Sequence, residues 1–197
     1  MTASLTYGVA WIAFGALHSL LSATPVKARL TPWLGAYYRI AFNLFAVVTI
    51  AAVLAVGGWA YGAPRPLETI VPATAMTGVH VVGWVLMVLA LREYDLGRFG
   101  GWTQVRNAGN DVDEAEDEPL VTGGLHAYVR HPIYSAAFLI LWGSAVTDLG
   151  LATALWASLY LMIGARFEER RLHRLYAAEY AEYAARTPSF IPWRGKV

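Results

Sequence analysis

No cysteine occurs in the 197 residues, which excludes disulfides, thiolate metal sites and a cysteine nucleophile at once. Charge is scarce as well. Only 15% of the residues are charged and 57% are hydrophobic, whereas soluble domains carry about 25% and 45–50%. The net charge of +1 gives no footing for a nucleic-acid partner. No G-x-G-x-x-G follows a strand pattern, so a Rossmann dinucleotide site is not indicated. The first apolar block lacks a basic n-region and an A-x-A cleavage site, so it reads as a retained helix rather than a signal peptide.

What is abundant is long apolar sequence. Five blocks stand out, at 5–21, 38–59, 76–91, 132–147 and 151–165. A bilayer core of about 30 Å takes roughly 17–25 helical residues; the second block meets this and the others are at the short end. The expectation is an all-α, polytopic membrane protein of about five transmembrane helices with a cytoplasmic C-terminal helix. Residues 1–197 then form a single membrane-embedded domain. Three N-terminal spans fill 1–94, a cytoplasmic loop fills 95–131, and a helical hairpin with the C-terminal helix fills 132–197. The hairpin turn is expected at Asp148–Gly150, and the last helix is expected to leave the membrane after Ala165.

With five spans, all but one of the 15 lysines and arginines fall on one side. Lys27, Arg29 and Arg39 lie in the first connection, Arg92, Arg98, Arg106 and Arg130 in the third, and the rest in the tail. Arg65 stands alone opposite. Basic residues stay cytoplasmic, so the N-terminus is expected outside and the C-terminus inside, in a membrane such as the bacterial inner membrane. The acidic run 111–118 reads as a solvated loop, and Trp33, Trp59, Trp102 and Trp193 as interfacial anchors.

The densest polar cluster is GGLHAYVRHPIY, 123–134. Pro132 suits a first helical turn and pushes His131 out of the helical region. The next helix therefore starts with its free N–H groups beside Arg130 and His131, with Tyr134 in the first turn. That arrangement suits a carboxylate or phosphate. Taken singly, Arg130 could equally snorkel to headgroups and Tyr134 belong to the aromatic belt. Glu168 and Glu169 end the fifth block, where a carboxylate is costly unless paired. One of them can hold a ligand ammonium or pair with Arg130. Glu169 and His173 stand four residues apart, but two ligands make no metal site, and no metal is expected.

RHPIY at 130–134, the glutamate pair at 168–169 and LYAAEYAEYAARTPSFIPW at 175–193 resemble the isoprenylcysteine carboxyl methyltransferase and phospholipid N-methyltransferase superfamily. Its pattern is G-x-Y-x-x-x-R-H-P-x-Y-x-G, a glutamate pair one hairpin later, and a final G-x-x-Y-x-x-Y before a proline. The resemblance covers 118–193. It implies S-adenosylmethionine as cofactor, with Gly124, His126, Tyr128, Arg130, His131, Tyr134, Glu168 and Glu169 binding it. Arg166, as an alternative group to orient either substrate, and Glu168 are the expected catalytic residues. His126 replaces a usual tyrosine, and Ala136 and Ala177 replace glycines. HSLLSATPVKARL at 18–30 and YDLGRFGGWTQVR at 94–106 resemble methanethiol S-methyltransferases and NnrU proteins.

The implied reaction is methyl transfer to a small or lipophilic acceptor, such as an isoprenylcysteine-like carboxylate, a thiol or a lipid amine, entering from the bilayer. Arg92, Glu93, Arg98 and Arg106 are candidates for its polar end. Membrane lipids are the other expected contacts; the oligomeric state is open. Three other readings remain at this point. One is a non-catalytic NnrU-like assembly factor, and another a nicotinamide-dependent membrane reductase. The third is a haem protein using His18 and His80, although a membrane histidine is often a helix-packing donor.

Overall fold

The computed structural model describes residues 2–68, 71–108 and 119–193. The acidic run 111–118 and the terminal Arg194 and Lys196 lie outside the described residues. Among the described residues eight α-helices follow in order: α1 Thr2–Ser22, α2 Thr24–Leu34, α3 Tyr38–Tyr61, α4 Ala73–Leu91, α5 Leu96–Gly100, α6 Trp102–Arg106, α7 Pro132–Gly143 and α8 Asp148–Arg186. Among the described residues no strand forms, only an isolated bridge between Pro66 and Thr147. Four stretches are long and apolar enough to cross a membrane: α1, the continuous helical run from α2 through α3, α4 and α8. Large apolar side chains point outward along them, among them Leu5, Val9, Ile12, Val81, Val85 and Val88. In water such exposure would be untenable; against lipid tails it is the required surface. The chain is an all-α integral membrane protein.

It divides into two compact units, each described by itself. The first comprises α1, α2, α3, α5 and α6. Its core is an edge-to-face aromatic ladder of Tyr7, Trp11 and Phe14 on α1, continued by His18, whose ring lies 4.8 Å from Phe42. Ser4 bonds Tyr61 at one end and the Tyr38 hydroxyl donates to the Leu21 carbonyl at the other, so α1 and α3 run antiparallel. Asp95 caps α5 by accepting from the Arg98 N–H. Arg39 and Asn43 of α3 donate to the Phe99 carbonyl at its far end. Gly101, at φ +97°, is required because a Cβ there would meet Ile40 at 2.8 Å.

The second unit comprises α4, α7 and α8 with their connections. α4 and α7 lie backbone to backbone: a Cβ on Gly143 would stand 2.4 Å from the His80 N, and one on Gly83 2.7 Å from the Ile140 N. His80 bonds the Ile140 carbonyl through Nδ1 and receives the Trp84 indole N–H at Nε2. Both ring nitrogens therefore serve helix packing. At one end of the unit Leu67 N–H donates to the Val146 carbonyl, and Arg65 pairs with Asp148 at 3.2 Å. At the other, Glu93 meets Leu125 and His126. α7 has only 12 residues, about 18 Å.

Two boundaries differ from the sequence expectation. The connection 24–34 forms a helix, α2, with Pro25 in its first turn. The hairpin turn falls at Ser144–Thr147, while Asp148–Gly150 form the first turn of α8, capped by the Thr147 hydroxyl accepting from Gly150 N–H at 3.0 Å. The helical pattern expected to continue after Ala165 to Arg186 does so within α8, with a bend at Ala177, at φ +43°.

Candidate active site

The polar residues gather where the start of α7, the middle of α8 and the segment after α8 converge. Arg130 anchors them. Its Nε and Nη2 donate to Glu169 Oε1 at 3.0 and 2.6 Å. Its Nη1 donates to the carbonyls of Ala184 and Thr187, and Nη2 also reaches the Ser189 hydroxyl at 2.6 Å. A guanidinium has five N–H donors, and all five are engaged with protein. The backbone reinforces the clasp, since Arg130 N–H donates to Pro188 O and His131 N–H to Ser189 O. Ser135 ties the same tail to α7 through the Phe190 carbonyl.

His131 is buried and faces a carboxylate with each ring nitrogen. Nε2 lies 3.0 Å from Glu169 Oε1, and Nδ1 lies 3.6 Å from Glu168 Oε2. Tyr134 stacks on the imidazole, with centroids 5.3 Å apart and planes 9° from parallel. Its hydroxyl lies near the Glu168 carboxylate. Glu168 keeps 47% of its side chain exposed and so remains open to a ligand. Pro132 as the first residue of α7 leaves the first-turn N–H groups beside this cluster. Behind it, the Tyr180 hydroxyl is fully buried without a hydrogen bond of ordinary geometry among the described residues, close enough to Arg130 and Glu169 to feel their charges.

The adjoining turn 124–127 belongs to the same unit. Gly124 sits at φ +58°, His126 is buried, and the Tyr183 hydroxyl donates to the His126 carbonyl at 2.7 Å. Burial holds the His126 pKa below its usual 6.5, opposed by the neighbouring Glu93 carboxylate. Tyr128 stands exposed at the rim.

The structure thus brings Arg130, His131, Tyr134, Glu168 and Glu169 into direct contact, with Gly124, His126 and Tyr128 in the adjoining turn. Arg166 is exposed and makes no ion pair among the described residues. Of the four candidates for an acceptor's polar end, Arg98 and Arg106 lie on α5 and α6 in the first unit. Glu93 is engaged with the turn. Sequence reasoning missed Ser189, Ala184 and Thr187 as partners of Arg130; only the proline-punctuated TPSF stretch hinted at a docked tail.

The family profile for phospholipid methyltransferases matches residues 78–179, which hold α4, the turn, α7 and the glutamate pair. This chain belongs to the phospholipid methyltransferase family. It is 30% identical to methanethiol S-methyltransferase 1 of Bradyrhizobium diazoefficiens, over 93% of this chain and 65% of that protein. It is 28% identical to methanethiol S-methyltransferase of Crocosphaera subtropica, over 60% of this chain and 46% of that one. It is 32% identical to protein-S-isoprenylcysteine O-methyltransferase B of Arabidopsis thaliana, over 42% and 44%. Against these relatives the chain spans from under half to just under two thirds of their length. No solved structure matches.

Proposed function

We propose that the chain is an S-adenosylmethionine-dependent methyltransferase of the bacterial inner membrane, acting on a small or lipophilic acceptor. The observation that carries this reading is the His131–Glu168–Glu169–Tyr134 cluster at the start of α7, inside the segment matched by the family. The donor set suits the cofactor. The half-exposed Glu168 carboxylate answers an ammonium, and the first-turn N–H groups of α7 answer a carboxylate. The rings of Tyr134 and Tyr128 offer flat apolar faces to an adenine. The buried Tyr180 hydroxyl, without a hydrogen bond of ordinary geometry among the described residues, adds a further polar group beside the cluster.

Arg130 works differently from a ligand clamp. With its five donors committed to protein, it neutralises Glu169 and fastens residues 184–189 over the site. His131 then orients both glutamates. Bound S-adenosylmethionine supplies an electrophilic methyl group on a sulfonium. The residues around it hold the reactants in line and keep water out, which accounts for about 7–11 kcal/mol of a barrier. An acceptor that reacts as an anion, a thiolate or carboxylate, needs no covalent enzyme intermediate. The relatives named for methanethiol, aligned over most of this chain, favour a thiol over a lipid amine. Arg166, exposed on α8, remains the candidate to orient the acceptor.

Calorimetric titration of detergent-purified protein with S-adenosylhomocysteine tests the reading. Micromolar binding by wild type, lost at least tenfold in Glu168→Gln and His131→Ala, is expected. A folded wild type that binds neither this ligand nor the methyl donor would overturn it, and would return weight to the assembly-factor and reductase readings.

A further inference from the structure

We infer that Glu93, just beyond the end of α4, is a positioning residue for the cofactor pocket, holding Gly124–His126 in the short turn, opened by a left-handed Gly124, that presents this backbone to the ligand. The inference rests on the function proposed above and adds a residue from outside the RHPIY and glutamate-pair motifs. Glu93 Oε1 accepts the Leu125 N–H at 2.7 Å, and Oε2 faces His126 Nδ1 at 3.1 Å. One carboxylate thereby fixes two successive residues of the turn, through charge-assisted hydrogen bonds of the stronger kind. A glutamate serving only as a solvated end to an apolar helix would point to water. Three quarters of this side chain is instead covered.

Gly124 completes the fit. At φ +58° it adopts a conformation that residues with a Cβ rarely take, and a Cβ there would stand 2.1 Å from Glu93 Oε1. The glycine is therefore required twice, by the backbone and by the carboxylate packed against it. On the opposite side of the turn, the Tyr183 hydroxyl holds the His126 carbonyl. His126 also gains an explanation. An ionised carboxylate only accepts, so the imidazole carries its hydrogen on Nδ1, toward Glu93. The tyrosine usual at this position has no donor at that point of its ring. The pair Glu93–His126 is a matched set, and its product is a turn fixed from both sides.

Two measurements on the full chain test this. Hydrogen exchange of the 123–127 amides reads the turn itself, and calorimetry with S-adenosylhomocysteine reads the pocket. Glu93→Ala is expected to speed exchange across 123–127 but not in α7, and to weaken binding at least tenfold with an unchanged melting temperature. Glu93→Gln, which keeps an acceptor for Leu125 N–H, is expected to stay within threefold of wild type. Gly124→Ala should resemble Glu93→Ala. Should Glu93→Ala fail to fold, Glu93→Gln and Gly124→Ala carry the same comparison. Unchanged exchange and binding in Glu93→Ala would overturn the inference while leaving the proposed function intact. So would a loss equal in Glu93→Gln and Glu93→Ala that tracks a falling melting temperature. If wild type binds no ligand but Glu93→Ala still frees the turn, the proposed cofactor is wrong and the anchoring role stands.

Discussion

Ala177 carries the one positive φ found at a non-glycine residue among the described residues, +43°. It occupies the position where the resembling family has glycine, and it is where α8 bends so that Tyr180 and Tyr183 can turn back toward Arg130 and His126. With ψ −111° this lies outside even the left-handed helical region, and a residue held in so sparsely populated a conformation costs about 1–3 kcal/mol, partly offset by alanine's lower chain entropy when unfolded. Ala177→Gly should therefore stabilise the protein by up to about 1 kcal/mol, read as a higher midpoint in denaturant; a lower midpoint would refute the strain. The substitution itself was visible in the sequence. Its consequence was not, because the alanine reads as ordinary helix until the bend is known. His126 offers a second test at this scale. Its folded pKa lies below 6.5 through burial, so the folded state binds fewer protons than the unfolded chain in that range. Its neutral form is fully in place above pH 6.5, and the folded state loses stability as pH falls below that value. Between pH 7.5 and 5.5 the wild-type melting temperature should drop more than that of His126→Gln; equal drops would show that other groups carry the acid sensitivity.

Among the elements, the contact between α4 and α7 is the tightest, and glycine makes it possible. Gly143 meets the His80 backbone directly, so Gly143→Ala must push the helices apart, at about 1–3 kcal/mol for overpacking. Gly58→Ala on α3, where a Cβ meets nothing within 4 Å, is the control and should be neutral or stabilising by under about 1 kcal/mol. Equal effects of the two on thermal stability would mean that the α4–α7 contact carries no special weight. The spans were legible because a 3.6-residue helix in lipid demands unbroken apolar sequence, and every expected block lies largely within a helix. The elements that escaped were those whose signal is not hydropathy. α2 carries Lys27, Arg29 and two prolines and reads as a connection, although Pro25 marks a helix start. The end of α7 at Gly143 is dictated by pairing of 146–148 with Arg65 and Leu67, which no local pattern announces. In the same way RHPIY and the glutamate pair could be read as one site, but the full engagement of Arg130 could not. It depends on carbonyls of Ala184 and Thr187, and carbonyls carry no sequence signature.

At the scale of the whole molecule, internal ties fix which ends lie together. In the second unit Arg65 and Asp148 meet at one end, and Glu93 with His126, and Arg130 with Glu169, at the other. α4, α7 and α8 therefore each traverse the unit's height. In the first unit Ser4 and Tyr61 share one end, and Leu21 and Tyr38 the other. With the five spans expected from the sequence, Arg65 is the single basic residue on its side, and the proposed orientation follows from keeping arginine and lysine in the cytoplasm. The absence of cysteine makes this directly measurable, since any introduced thiol is the sole one. Ala63→Cys and Glu182→Cys both place it at an exposed residue. In intact cells a membrane-impermeant maleimide should label Ala63→Cys at once, and Glu182→Cys only after permeabilisation. The reverse pattern would invert the protein and put the proposed cofactor site on the face away from the cytosol. There S-adenosylmethionine is not made, and the methyltransferase reading would then have to give way along with the orientation.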